Sequence, residues 1–424
     1  MTVHDVRIEV TPLQTEGMRD VRGDVVRRQL IADHGIDVGI VRSICGYLIR
    51  SEYDASSIAP RVQDIFSDPI IEFGAVDTGV IHDTTFFPQA PSLCVTVGFK
   101  PGVTDNPGAA ANDGFQVLFP DVNAAISTYT TYVFTNLPET VDSAWLASTL
   151  HNPLIERAVL VTRDDLSTGK TSLITFPERP TIVRQSPSII DLEVANEELI
   201  RLSVDGLLAL NLTEMQAIQA HYRMAEHQTA RDSVGISTNA PTDVELECLA
   251  QTWSEHCKHK IFASKIHHID TETNEDSIID SLFKTHIMKP THDMAKEVDW
   301  LLSVFHDNSG VIAWNDDWSV CMKAETHNSP SALDPYGGAM TGIVGVNRDI
   351  LGTGLGARPI ANTDVFCFGP PTWTGELPST LFHPSRVLRG VHAGVRVGGN
   401  ESGIPTVNGA IVFDERYIGK PLVY

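Results

Sequence analysis

The stretch WSVCMKAETHNSP, residues 318–330, sets Cys321, Lys323, Glu325 and His327 two residues apart. In an extended chain, residues two apart share a face. A cation, a carboxylate and an imidazole would then line one edge, with Val320, Met322 and Ala324 on the other. That is poor composition for a plain core strand and suits a nucleotide and metal site. Lys323 can neutralise a phosphate as a point charge, Glu325 is a hard oxygen ligand for Mg²⁺, and His327 can move a proton near neutral pH. The bland alternative is a solvated strand face with ordinary polar groups.

Downstream, YGGAMTGIVGVNRDILGTGLGARPIA carries glycines at 337, 338, 342, 345, 352, 354 and 356. Glycine removes side chains where a backbone approaches a phosphate, although loose glycine patterns more often mark tight helix packing. The segment lacks the GxxxxGK[ST] pattern of a P-loop. Arg348 and Asp349 add what glycines cannot: a fork for phosphate and a second carboxylate that could join Glu325 on one Mg²⁺. Upstream, SEHCKHK puts His256 near His259 and Lys260 at helical spacing. Zinc held by His256, His259, Cys248 and Cys257 is a weaker reading than polar helix-end residues or a histidine serving the reaction site.

These residues need elements to hold them. PTDVELECLAQTW predicts a helix opened by a Thr242/Glu245 capping box, with Leu246, Leu249, Ala250 and Trp253 as its apolar stripe. LEVANEELIRL and LNLTEMQAIQAHYRMAEH predict further helices, the second opened by Thr213 and Gln216. From about Leu166 to Pro187 the chain is rich in Thr, Ser and Pro and reads as a connector.

The front of the chain repeats itself. Asp20-x-x-Gly23 matches Asp105-x-x-Gly108, Asp37-Val38 matches Asp121-Val122, and Asp68-Pro69-x-Ile71-Glu72 matches Asn152-Pro153-x-Ile155-Glu156. Each block opens on an alternating strand, VRIEV or CVTVGF, and the order strand, helix, strand, strand, helix, strand predicts tandem ferredoxin-like units. They could share a sheet or pack face to face.

At 424 residues the chain should hold several domains, and its formal net charge of −23 repels phosphate backbones and anionic membranes, so nucleic acid and membrane are not expected partners. An anionic substrate would need positive charge gathered locally. Six scattered cysteines without a CxxC pair, no leader-like N-terminus and no long apolar run suggest reduced thiols in the cytoplasm.

Three ordered stretches, TWSEHCKHKIF, KAETHNSPSALDPYGGAMTGIVGVNRDILGTGLGARPIA and GNESGIPTVNGAIVFDERYIGKPLVY, resemble successive signatures of the phosphoribosylformylglycinamidine synthase family. The linker LNLTEMQAIQAHYR resembles that family too, and the duplicated front resembles a tandem version of its small subunit. The resemblance implies an α+β chain: ferredoxin-like repeats at 1–80 and 90–165, a connector and helical linker at 166–235, and at 236–424 the N-terminal α/β half of an aminoimidazole ribonucleotide synthetase-like (PurM-like) ATP-binding core.

It further implies catalytic roles for His256 and His327, ATP contacts at His259 and Lys323, magnesium ligands at Glu325 and Asp349, and substrate contacts at Thr326, His327, Asn328, Ser329 and Arg348. His259 stands where the family often has tyrosine, and Ser329 where many members have a second histidine. The implied reaction converts formylglycinamide ribonucleotide to the amidine with ATP, Mg²⁺ and ammonia from a glutaminase domain or subunit; oligomeric state stays open. Because KPLVY falls near the end of the expected first catalytic half, the alternative is an inactive fragment or assembly module. A third reading, a superfamily member with another substrate, explains the glycines but not SEHC together with ETHN.

Overall fold

Two aspartates at matching positions explain why the front of the chain folds twice in the same way. The first half forms β1 (His4–Pro12), α1 (Val21–His34), β2 (Val41–Ser51) and β3 (Glu72–Val76); the second forms β4 (Leu93–Phe99), α2 (Asn106–Leu118), β5 (Ala125–Phe134), α3 (Ser143–Leu150) and β6 (Glu156–Thr162). Asp20 caps α1 by accepting from the Gly23 N–H at 2.8 Å, and its other oxygen accepts from Ser43 N–H on β2. Asp105 does the same for α2, accepting from Gly108 N–H at 2.7 Å and from Thr128 N–H at 2.6 Å. A Cβ on Gly23 would lie 2.0 Å from the Val41 carbonyl oxygen, and one on Gly108 2.7 Å from that of Ile126. Glycine is therefore what lets each helix start against its strand.

The other repeat landmark is also a local device. The Glu72 carboxylate accepts from Asp68 N–H at 3.1 Å, and that of Glu156 accepts from Asn152 N–H at 2.6 Å, closing equivalent turns into β3 and β6. Asp37 pairs with Arg27 at 2.6 Å, while its sequence counterpart Asp121 lies outside the described residues. The computed structural model describes residues 3–14, 18–120, 122–168, 174–178, 186–236, 239–255 and 259–424.

Both halves share one antiparallel sheet in the order β3-β1-β2-β5-β4-β6, with β2 and β5 paired from Val41↔Phe134 to Arg50↔Ala125. Among the described residues each half has three strands, one fewer than expected. After the long β2, Asp54 caps the short helix Ala55–Ile58, and the chain turns into helical structure where another strand was expected. The core is interlocked: Val26 and Leu30 of α1 pack with Leu93 and Val95 of β4 and Leu146 of α3, while Phe115 of α2 packs with Val6, Ile8 and Val10 of β1.

The chain divides into two compact units, Met1–Pro180 with Ser303–Val311 and Cys321–Tyr424, and Thr181–Leu302 with Ile312–Val320. The second unit contains α4 (Asn196–Asp205), α5 (Leu212–Tyr222), α6 (Ala225–Ser233) and α7 (Asp243–Thr252), around Leu199, Met215, Ile218, Leu246 and Ala250. The Thr242/Glu245 capping box on α7 is present. On α5 the box is formed by Asn211 and Glu214 instead of Thr213 and Gln216, because Asn211 sits outside the first turn, where its side chain can accept from Glu214 N–H at 3.0 Å. Lys260 ties to this helix through Glu214 at 2.5 Å, and a hairpin of β7 (Lys265–Asp270) and β8 (Glu275–Asp280) follows. Within the connector, Leu166 to Pro187, residues 166–168, 174–178 and 186–187 are described.

The short strands β9 (Leu301–Ser303), β10 (Gly310–Ala313) and β11 (Ser319–Met322) form a small sheet. The chain then builds α8 (Asn328–Leu333), α9 (Pro335–Leu351), β12 (Asn362–Phe368), α10 (Pro384–Ser402), β13 (Thr406–Phe413) and β14 (Leu422–Val423), with a mixed sheet of order β13-β12-β14. Gly390, Gly394 and Gly398 form a stripe at a spacing of four on α10. A Cβ on Gly394 would meet the Tyr336 carbonyl oxygen at 2.4 Å, and one on Gly390 the Pro335 Cβ at 2.5 Å, so this stripe admits α9. On the front sheet's side, Arg389 of α10 makes a forked pair with Asp33, and Arg386 donates to the carbonyls of Thr149 and His151, both at 3.0 Å. Among the described residues no helix is long and apolar enough to cross a membrane.

Candidate active site

Strand β11 ends at Met322, so the expected strand does not reach His327. The chain leaves the sheet there, yet the alternation persists: Met322, Ala324 and Thr326 are exposed, while Lys323, Glu325 and His327 are half-buried. What turns them inward is α9. A Cβ on Gly345 would stand 3.4 Å from Glu325 Cδ, and one on Gly342 3.1 Å from His327 Cβ. Gly342, Gly345 and Asp349 follow each other by three and four residues and so occupy one helix face, against which Glu325 and His327 lie.

The segment is pinned at its far end. His327 N–H donates to the Val423 carbonyl at 2.9 Å, Val423 N–H donates to Asn328 Oδ1 at 2.8 Å, and Ser331 Oγ donates to the His327 carbonyl at 2.6 Å. These bonds fix His327 between β14 and α8. Its Nδ1 is buried without a hydrogen-bond partner among the described residues, which is uncommon for an interior polar atom.

Charge converges on Lys323. Its Nζ lies 2.7 Å from Asp349 Oδ2 and 3.8 Å from Glu325 Oε2. The other Asp349 oxygen accepts from Asn308 Nδ2 at 3.3 Å. The hydrogen bond from Lys323 holds the Asp349 carboxyl below the usual carboxylate range, against partial burial and with help from Asn308 and Arg348. Two carboxylates that share one ammonium of the chain are a hard-oxygen donor set of the kind Mg²⁺ takes. No group of three or more His, Cys, Asp or Glu is placed to hold a metal among the described residues. Glu325 and Asp349 are two carboxylates that could give oxygens to a cation, which would need its remaining oxygens from water and phosphate.

Of the other expected site residues, Thr326, Ser329 and Arg348 are exposed and Asn328 is half-buried. His259 belongs to the second unit, where it precedes the short helix Lys260–Ala263 and meets Phe262 edge-on at 6.1 Å. His256 and Cys257 lie outside the described residues, so the zinc reading rests on nothing described beyond His259 and the exposed Cys248.

Of the two readings of the glycines at 337–345, helix packing is the one the structure bears out. Gly337, Gly338, Gly342 and Gly345 are inside α9, and what they admit is protein: a Cβ on Gly338 would meet Pro330 C and Ser331 N at 2.5 Å. Only Gly354 and Gly356, with φ of +57° and +110°, need the conformational freedom of glycine for the turn after the helix. One group of residues is visible only in three dimensions. Asp307 accepts from Gly354 N–H at 2.8 Å, Asn308 reaches Asp349, and Ser309 Oγ bonds Thr353 Oγ1 at 2.7 Å. The turn-forming run Asp-Asn-Ser-Gly at 307–310 was the available signal. A cavity of about 730 Å³ elsewhere, lined by Asp33, His34, Tyr336 and Arg386, contains none of the four reactive residues, and Arg386 there is already bonded to carbonyls.

Residues 306–424 match the family model "AIR synthase related protein, N-terminal domain", and residues 199–260 match "Formylglycinamide ribonucleotide amidotransferase linker domain". Two stretches of this mixed α/β chain are thus similar to such a linker and to an AIR synthase-related N-terminal domain. It is 33% identical over 231 residues to the phosphoribosylformylglycinamidine synthase subunit PurL of Thermoplasma volcanium, a match covering 54% of this chain and 25% of the relative. Against the proteins of that name from Corynebacterium ammoniagenes and Corynebacterium jeikeium, identity is 37% over 190 residues and 39% over 183, covering 45% and 43% of this chain and 21% and 19% of the relatives. Over these stretches the chain is similar to the phosphoribosylformylglycinamidine synthase subunit PurL. It spans a quarter or less of the length of these relatives.

Proposed function

We propose that this chain takes part in the ATP-dependent conversion of formylglycinamide ribonucleotide to formylglycinamidine ribonucleotide, a ligase reaction of purine synthesis that uses ammonia released from glutamine. The observation that carries this reading is the convergence of Lys323, Glu325 and Asp349 beside His327, whose Nδ1 is buried and unpartnered. In the reaction, the amide oxygen takes the γ-phosphoryl group of ATP and becomes a good leaving group. Ammonia then attacks the same carbon, phosphate departs, and the amidine forms.

Lys323 would hold the transferring phosphates, and Arg348, exposed one residue before Asp349, would fork onto a substrate phosphate. Glu325 and Asp349 would hold Mg²⁺, which offsets phosphoryl charge when bound. His327 would take a proton from the amide or ammonia nitrogen, with Thr326, Asn328 and Ser329 lining the substrate loop. By resemblance alone, His256 would have a catalytic role and His259 a contact to ATP. The duplicated front sheet would take the place of a tandem counterpart of the small subunit, although each half has three described strands where the ferredoxin-like order needs four, and a glutaminase domain or subunit would deliver ammonia. A cytoplasmic enzyme is the corresponding setting.

The test is calorimetric titration with Mg-ATP, followed by assay of ADP and amidine formed from formylglycinamide ribonucleotide, ATP and ammonium. Glu325→Ala and Asp349→Ala should each weaken Mg-ATP binding about tenfold or more, near 1.4 kcal/mol, with unchanged circular dichroism. Unchanged affinity in both variants would overturn the assignment. Mg-ATP binding without turnover would favour the second reading, an assembly module.

A further inference from the structure

Each oxygen of the Asp349 carboxylate has its own partner. Oδ2 faces the Lys323 ammonium at 2.7 Å, and Oδ1 faces the Asn308 amide at 3.3 Å. Glu325 Oε2 lies 3.8 Å from that same ammonium. We infer that Lys323 is an internal counter-ion that competes with a divalent cation for Asp349 and Glu325, and that Asn308 is the positioning residue that keeps Asp349 in place during the exchange. This rests on the proposed Mg-nucleotide reading and adds an order to it.

The argument is one of charge and geometry. A magnesium ion binds carboxylate oxygen at about 2.1 Å and tolerates little distortion. An ammonium hydrogen-bonded to the same oxygen would sit beside the ion and repel it. Lys323 must then swing away from that oxygen, to where a phosphate oxygen can take up its charge. A nucleotide brings that phosphate to the cation. Metal and nucleotide therefore bind with positive coupling, and the coupling is reciprocal.

Asn308 differs because an amide carries no charge and has no reason to leave when a cation arrives. It is held by its neighbours: Asp307 accepts from Gly354 N–H at 2.8 Å, Ser309 bonds Thr353 at 2.7 Å with both residues buried, and Thr353 Oγ1 donates back to the Asp349 carbonyl at 2.8 Å. A Cβ on Gly352 would lie 3.3 Å from Asn308 Nδ2, so glycine leaves the amide its place. The turn thus grips the end of α9 at three points around Asp349.

The experiment titrates the full chain with Mg²⁺ alone, using Mn²⁺ as a paramagnetic reporter, and repeats each titration with saturating ATP. Lys323→Met, with Lys323→Gln as a second variant, should bind the metal alone at least about fivefold more tightly than wild type, the lower end of common coupling strengths. The same variants should lose most of the gain in metal affinity that ATP confers. Asn308→Ala should weaken metal binding severalfold in both the wild-type and Lys323→Met backgrounds without lowering the melting temperature. Metal affinity unchanged or weaker in both Lys323 variants overturns the competition, as does absence of metal binding to any of them. If Mg-ATP still binds in that case, the functional reading stands and only this inference falls; if Mg-ATP binds to no variant and not to wild type, both fall. A fall in melting temperature equal to the loss of affinity in Asn308→Ala would make that residue merely structural and remove its positioning role.

Discussion

Gly394 and Gly399 lie on the same helix, α10, and replacing each with alanine should move stability in opposite directions. Alanine gains about 1 kcal/mol over glycine in a helix interior, and that gain is common to both. At Gly399 a Cβ meets nothing within 4 Å, so the gain is realised. At Gly394 it would stand 2.4 Å from the Tyr336 carbonyl oxygen and 3.0 Å from Ala339 Cβ. The nearest atom belongs to backbone, so α9 itself has to move, and overpacking of this kind costs about 1–3 kcal/mol. Net destabilisation of up to roughly 2 kcal/mol follows for Gly394→Ala, a fall in Tm of up to about 8 °C, against a rise of about 2–4 °C for Gly399→Ala. Scanning calorimetry of the two variants beside wild type reads both shifts. Because α9 carries Gly342, Gly345 and Asp349, Gly394→Ala should also weaken Mg-ATP binding while Gly399→Ala leaves it alone. A Gly394→Ala protein that melts at or above wild type would refute the claim that backbone contact sets the α9–α10 spacing.

Burial raises the carboxyl of Glu9 above its ordinary range, against the hydrogen bonds it accepts from Val80 N–H at 2.8 Å and Tyr129 Oη at 3.1 Å. The folded state then holds its proton more tightly than the unfolded chain does, so stability should fall as pH rises from the ordinary carboxylate range through the raised value. Thermal melts across that window should show this slope in wild type and lose it in Glu9→Gln. Asp20→Ala should cost about 2–4 kcal/mol, because it removes a cap and leaves the buried N–H of Ser43 without its acceptor, whereas Asp142→Ala at the exposed start of α3 should cost about 1 kcal/mol. Denaturant unfolding of the two variants compares them directly, and equal losses would show that the contact to β2 contributes nothing.

Features settled by neighbours in the chain were the legible ones. The Thr242/Glu245 box, the paired Asp-x-x-Gly landmarks and the alternation through Lys323, Glu325 and His327 all act over a few residues. Features settled at a distance were not. The glycines of α9 left phosphate approach and helix packing both open, and what decides for packing is contact with Pro330, His327 and Glu325, reached only in the fold. Asn308 looks like any turn residue until the fold brings it to Asp349, 41 residues away. The strand count of each front half failed for a related reason: nothing local says whether the chain after Ser51 returns to the sheet or enters the Asp54-capped helix. Asn211 displaced Thr213 as the cap through a difference of two positions, within the ordinary uncertainty of helix ends.

The interlocked cores of the front sheet bear on how the chain is made. Because α1 finishes its packing on β4 and α3, and β1 receives Phe115 from α2, neither half can bury its own apolar surface as it leaves the ribosome. The first half must wait, partly collapsed, until β5 and the residues up to Leu146 have emerged. Such a sheet should form late and in one step, with a rate governed by closing the long connection between the halves.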